Sequence, residues 1–317
     1  MNRANGTIVV TGGLGFIGKN FCDKLSLNFE RKIIVDKITY ASDLEFYDTD
    51  LEKKGWEHFA IDINSEEFQN LLMPLNHCIV VHFAAESHVD NSFENAKEFV
   101  ISNTLGTQSV IDIVRSKDCK LLHVSTDEVY GESIVDFLDE GAVFNPTNPY
   151  AATKAAADIL VQTHIRCFGL NAKIIRANNI YGPRQLAEKV IPKAIKYASE
   201  KRKFSLHGGD EITRHFLHTE DFTRACETLL ENWFDIDEIA FNVASADEIT
   251  IRNLVEFIYT EIGCETDLIS IGPDRPFNDR GYKINDKLIR SKGWKQRKTL
   301  VSELKKLCRA RSYLDVE

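Results

Sequence analysis

The run Ile8-Val9-Val10-Thr11-Gly12-Gly13-Leu14-Gly15-Phe16-Ile17-Gly18 restricts this chain more than any other stretch. β-Branched residues lead into glycines at 12, 15 and 18, and a helix-like pattern follows. Glycine permits a tight turn and lets a pyrophosphate reach the backbone amides, while the helix N-terminus beyond it favours negative charge. Strand, glycine turn and helix in that order predict the opening of a dinucleotide-binding unit, with Gly12, Gly15, Phe16, Ile17 and Gly18 against the cofactor.

The rest of the first half fits such an opening. Lys32–Val35, His58–Ile61, Cys78–Phe83, Lys120–Val124 and Lys173–Arg176 are short, β-rich runs separated by helix-like sequence. They lack strict alternation, as strands buried on both faces do. The expected class is therefore α/β: a Rossmann-type, doubly wound parallel sheet. After about residue 180, Pro183, Pro192, Gly208, Gly209, Gly272, Pro273 and Pro276 cut the chain into shorter pieces. This predicts a smaller, interleaved C-terminal substrate domain from 179–218 and 246–317. The dinucleotide-binding domain would comprise 1–178, with return segments at about 219–245 that include Thr219–Glu231 and Phe241–Val243.

A net charge of −9 argues against a nucleic-acid or membrane-surface binder, either of which needs a basic face. It leaves room for an anionic small molecule, which needs only a few local cations. Seven scattered cysteines without a C-x-x-C pair predict free thiols in a reducing compartment and no metal site. MNRANGTIVV enters a strand directly, so neither a signal peptide nor a membrane span is expected, and a cytoplasmic location follows.

Asp36 ends the second run, 18 residues after Gly18. A carboxylate there accepts bonds from ribose hydroxyls and repels a 2′-phosphate, favouring NAD over NADP, although Lys37 beside it weakens that preference. Asp62 and Ile63 close the third run near the adenine, and Ala84 and Ala85 follow the fourth. Tyr150 and Lys154 stand four apart, on one face of a helix. Tyrosine is a poor base at neutral pH, and a nearby ammonium would bring it into use. The proline-bracketed Asn145–Pro149 loop is suited to fixing that helix's start. In Leu121–Gly131 an apolar strand ends in Ser125, Thr126, Asp127 and Glu128, at the place where parallel sheets bind ligands. Adjacent acids repel, which separates their protonation states, so one can donate a proton while the other accepts. A solvated strand end or a helix cap would account for an isolated pair equally well.

The stretches TGGLGFIG, VDKITYASDLE, HFAAESHVDNSF, HVSTDEVYGE, NPTNPYAATKAAAD, RANNIYGPRQ, EKVIPK and GPDRPFNDRGYKIN run through nearly the whole chain. In that order they resemble the extended short-chain dehydrogenase/reductase family, and within it the nucleotide-sugar 4,6-dehydratases. The resemblance implies a mechanism. Tyr150, helped by Lys154, takes the proton of the sugar 4-hydroxyl, and Thr126 bonds the same oxygen. Hydride passes to NAD, and the C4 ketone acidifies C5–H. Glu128 removes that proton, Asp127 protonates the departing C6 hydroxyl, and hydride returns to C6. It also implies substrate contacts at Ser87, Asn179, Glu188, Lys189, Arg214, Asn242, Arg275 and Asn278, and a homodimer paired through helices near Ala96–Ser116 and Ala152–Cys167.

Arg275-Pro-Phe-Asn-Asp279 and HVDNSF are closer to the UDP-glucose 4,6-dehydratase part of plant rhamnose synthases than to bacterial dTDP-glucose enzymes, which favours UDP-glucose. Ala187, Val243-Ala-Ser and His215-Phe216 depart from the family pattern. Two other readings share the cofactor site: a nucleotide-sugar 4-epimerase, which has no use for Asp127 and Glu128, and a catalytically silent NAD-binding regulatory protein, which has no use for the full set.

Overall fold

A computed structural model describes residues 6–274 and 276–310. Seven strands form one parallel sheet: β1 (Thr7–Thr11), β2 (Arg31–Asp36), β3 (Trp56–Ala60), β4 (Ile79–His82), β5 (Lys120–Thr126), β7 (Ala172–Ala177) and β11 (Ala240–Val243). Their spatial order is β11-β7-β5-β4-β1-β2-β3. The chain winds outward from β1 in one direction and from β4 in the other. The two halves part at the β1/β4 junction, the switch point where such sheets bind ligands.

Both faces of the sheet are covered, which is why the strands read as continuous apolar runs. Ile8, Val10, Ile34, Val81, Leu122 and Ile175 pack on one side, against Phe21 and Cys22 of the Phe16–Lys24 helix and Phe222 and Leu229 of the Thr219–Glu231 helix. Val9, Ile33, Val80, Leu121 and Ile174 face the other side, with Val110, Ile111 and Val161. The Ala96–Ser116 stretch is helical throughout but widens to a π-helix over Val100–Leu105. Within that wide turn Asn103 hydrogen-bonds both backbone polar groups of Glu86 and the Thr153 hydroxyl, fastening the loop after β4 to the helix that carries Tyr150.

Smaller sheets complete the molecule. β8 (Asn179–Tyr181), β10 (Thr213–His218) and β12 (Glu248–Thr250) form one, and β9 (Phe204–His207) pairs with β13 (Ile269–Gly272). A third core of Ile191, Ile195, Phe204, Leu206, Leu254, Ile258, Leu300 and Leu304 lies among them. Two features blur the division at 246–317. β6 (Ser133–Leu138), from the first part of the chain, pairs with β14 (Tyr282–Ile284). Ile289 and Trp294 join the large-sheet core, and Trp294 Nε1 donates to Asp221 O at 2.9 Å. An apolar pair at that distance along the sequence carries no sign of which core it enters.

The expectation of free thiols throughout is corrected at one place: Cys78 and Cys119 are joined as a disulfide. Each precedes a strand, and β4 and β5 are neighbours, with Ile79 opposite Lys120. The pairing follows from sheet order and not from any spacing in the sequence. Among the described residues no helix is long and apolar enough to cross a membrane.

Candidate active site

The cleft lies over the C-terminal ends of β1, β2, β4 and β5 and extends to β9 and β10. Its volume is about 480 Å3, ample for a bound ligand of dinucleotide or sugar-nucleotide parts. At one end Gly12 has φ +68°, and a Cβ there would come within 2.6 Å of the Ala84 amide nitrogen. A Cβ on Gly18 would collide with the Gly12 carbonyl. No side chain caps the Phe16–Lys24 helix at Gly15, and its first turn holds no acid, so its positive end is open to an anion. Phe16, Ile17, Asp36, Lys37, Asp62, Ile63, Ala84 and Ala85 all line this part. The Asp36 carboxylate accepts from the Leu14 and Ile38 amides, both at 3.1 Å, and from the Ser42 hydroxyl at 2.8 Å, which fixes it at the strand end. The glycine cradle, the uncapped helix and this acid fit a dinucleotide.

At the end of β5 the chain turns into a short 3-10 helix, Asp127–Tyr130, so both acids leave the strand tip together. Asp127 is 2% exposed and Glu128 9%. Burial, with the negative Glu128 beside it, pushes the Asp127 carboxyl up to about 7, against opposing hydrogen bonds from Asn178 and Thr126. Asn178 Nδ2 donates to Asp127 Oδ2 at 2.7 Å, and Asn148 Nδ2 donates to Glu128 Oε2 at 3.0 Å.

Asn148 caps the Pro149–Phe168 helix, accepting from the Ala151 amide at 2.8 Å, and Pro149 occupies the first turn. That start aims Tyr150 and Lys154 into the cleft. Burial and the charges of Glu128 and Asp127 hold the Tyr150 phenol above its ordinary value, with a Thr126 hydrogen bond opposing. The Lys154 ammonium donates to Val124 O at 2.7 Å, and burial lowers it to about 8.

Toward the outer end Ser87, Asn179, Glu188, Lys189, Arg214 and Asn278 line the cleft. Arg214 Nη1 is held by the carbonyls of Thr213 and Asp279, at 2.8 and 2.9 Å, which orients the guanidinium. Arg275 lies outside the described residues. Asn242 does not reach the cleft. It is fully buried in β11, accepting from the Tyr130 hydroxyl at 2.9 Å and donating to Leu138 O at 3.1 Å, so its amide closes a core network.

Sequence reasoning missed Asn148, Asn178, Asp279 and Tyr282 at this site. Asp279 Oδ2 accepts from the Thr147 and Tyr282 hydroxyls, both at 2.5 Å, and Tyr282 feels the charge of Glu128. An N-cap asparagine before proline was a readable signal for Asn148; nothing local marked the others.

Sheet, glycine turn and cleft together define a Rossmann-type α/β protein of the extended short-chain dehydrogenase/reductase class. More narrowly, the chain belongs to the family described as GDP-mannose 4,6 dehydratase, whose profile matches residues 9–307. It is 36% identical over 308 residues to a trifunctional UDP-glucose 4,6-dehydratase/UDP-4-keto-6-deoxy-D-glucose 3,5-epimerase/UDP-4-keto-L-rhamnose-reductase of Arabidopsis thaliana. That match covers 94% of this chain and 46% of the plant protein, so the chain spans about half its length. Identity to the dTDP-D-glucose 4,6-dehydratase of Homo sapiens is 35% over 299 residues, covering 91% of this chain and 85% of the human one. The crystal structure of a dTDP-glucose 4,6-dehydratase from Streptomyces venezuelae, solved with NAD, superposes with a TM-score of 0.88 at 28% identity and 96% coverage of each chain.

Proposed function

We propose that this chain is an NAD-dependent nucleotide-sugar 4,6-dehydratase, a hydro-lyase that converts UDP-glucose to the 4-keto-6-deoxy sugar nucleotide. The observation that carries this reading is the pair of buried acids at the tip of β5, with Asp127 protonated to about pH 7, beside Tyr150 in the glycine-turn cleft. When bound, NAD would supply the hydride acceptor for C4, the hydride donor for C6 and a positive charge to the cleft. Gly12, Gly15 and Gly18 would hold its pyrophosphate and Asp36 its ribose.

Tyr150 accepts the proton of the sugar 4-hydroxyl once positive charge from Lys154 and a bound cofactor offsets the burial and acid charges that favour its phenol, and Thr126 hydrogen-bonds that oxygen. Glu128 removes the C5 proton once C4 is a carbonyl. Asp127 gives its proton to the C6 hydroxyl, which leaves as water, and Glu128 returns a proton to C5 as C6 is reduced. Each transfer has its donor or acceptor in the chain, and the proton left on Tyr150 and the one lost from Asp127 exchange with solvent to reset the site. Arg214, Lys189 and Asn278 hold the diphosphate, and guanidinium geometry suits that task. Epimerisation at C4 leaves the two acids idle, so it accounts for less of the site.

UDP-glucose is preferred over dTDP-glucose on the stretch Arg275–Asp279, which resembles the plant enzymes. A homodimer is supported by the exposed apolar side chains Val100, Leu105 and Ile159 on the two helices expected to pair. Incubating the purified protein with UDP-glucose or dTDP-glucose in deuterated water tests the reading. The expected product has lost water and carries deuterium at C5. An isomer of the substrate would identify an epimerase instead. Glu128→Gln should form no product while still generating NADH absorbance from C4 oxidation; turnover at the parent rate would remove Glu128 from its role.

A further inference from the structure

Each of the two acids rests against one asparagine, and each asparagine is turned by a backbone amide. Asn178 Oδ1 accepts from the Ser245 amide at 3.1 Å, which leaves Nδ2 to face Asp127 Oδ2 at 2.7 Å and Tyr282 O at 3.4 Å. Asn148 Oδ1 accepts from the Ala151 amide at 2.8 Å, which leaves Nδ2 to face Glu128 Oε2 at 3.0 Å. Neither amide can turn over without opposing two donors. Both asparagines are buried, at 3% and 7% exposure.

We propose that Asn178 and Asn148 are positioning residues that decide which oxygen of each acid carries the moving proton. A fixed N–H donor cannot face a carboxyl O–H. Asp127 therefore bears its proton on Oδ1, whose partner at 3.1 Å is the Thr126 hydroxyl, a group that donates to the carboxylate but can rotate to accept from the acid, and Glu128 takes up its proton on the oxygen turned from Asn148. The two acids cannot exchange roles by rotating a carboxyl group, and each donor draws its acid toward the ionised form. Because Asn148 also caps the helix bearing Tyr150, the base at C5 and the group at O4 share one anchor.

Other charges meet the same acids. Asp127 faces Glu128, Tyr150 and Arg214; Glu128 faces Asp127, Tyr150 and Tyr282, whose hydroxyl is bound to Asp279. These remain in place when one amide is exchanged for a carboxylate of the same shape, so the comparison isolates the asparagine.

The inference rests on the dehydratase reading, and the test separates them. The pH profile of kcat/KM for UDP-glucose with NAD is measured for the parent, Asn178→Asp and Asn148→Asp. Asp127 works protonated, so it sets the alkaline limb; Glu128 works ionised, so it sets the acid limb. A like charge in place of a donor raises the pKa of the acid it faces, by about one unit or more. Asn178→Asp should therefore move the alkaline limb upward by about that amount. Asn148→Asp should do the same to the acid limb, and aspartate preserves the cap. Slower turnover with both limbs in the parent's positions overturns the proposal, because a merely structural role lowers the rate without moving either. Should Asn178→Asp fail to fold, Asn148→Asp decides alone by its acid limb. A parent that makes no dehydrated product defeats the dehydratase reading itself.

Discussion

Replacing Asp127 with asparagine should stabilise the protein at pH 8 and leave it nearly unchanged near pH 4. The carboxyl is 2% exposed, and burial with the neighbouring Glu128 charge raises it from 3.8 to about 7. The folded state therefore holds a proton that the unfolded chain releases between those values. Stability contributed by this group is complete below about pH 4 and is lost as pH rises to about 7. At about 1.4 kcal/mol per unit, the ceiling on that loss is about 4 kcal/mol. Asparagine removes the charge and can still accept from Asn178, so a gain of about 2–4 kcal/mol is expected at pH 8. Urea unfolding of parent and variant at pH 4.5 and pH 8 measures it. The difference between the two proteins cancels the titrating groups that do not adjoin Asp127. A gap that is absent at pH 8, or equally large at both pH values, would refute the reasoning. The same variant should lose dehydration activity, so the group that does most for the reaction weakens the fold at working pH.

The remaining predictions concern the framework. Arg176 is 1% exposed and bonds both oxygens of the fully buried Asp158, at 2.8 and 2.9 Å, so Arg176→Met strands a buried carboxylate. It should destabilise by about 3–5 kcal/mol in denaturant unfolding, and adding Asp158→Leu should recover much of that loss; strictly additive effects would contradict the pairing. Gly18→Ala forces a methyl onto the Gly12 carbonyl, so NAD binding by titration calorimetry should fall at least tenfold. Parent-like affinity would show that the turn yields more easily than the backbone packing allows.

The parts of this molecule that are legible in sequence are those written in consecutive residues. Val9 and Val10 are both apolar because the sheet is covered on both faces, and six such runs became six neighbouring strands. Asp127 and Glu128 could be placed because a strand end is where ligands bind. Asn178 and Tyr282 reach the same acids from β7's exit and from β14, the latter across more than a hundred residues, and Asp279 meets Tyr282 there; no periodicity marks such meetings. Asn242 failed for the opposite reason. Its residue type suits a phosphate, but its place in β11 points the amide at Tyr130. Lys154 lines the cleft, and no sequence pattern marks that its ammonium is given to Val124 O.

The return of Trp294 to the large sheet bears on how the chain is made. Its indole joins the core that holds Phe222 and donates to Asp221 O, while the Asp221 carboxylate receives the amides of Arg297 and Lys298, both at 2.8 Å. A ribosome emits the first six strands long before this plug, so the nascent sheet must wait with one flank open. Late synthesis, and not the early glycine turn, closes that flank, and chains stalled short of residue 294 would present it to chaperones.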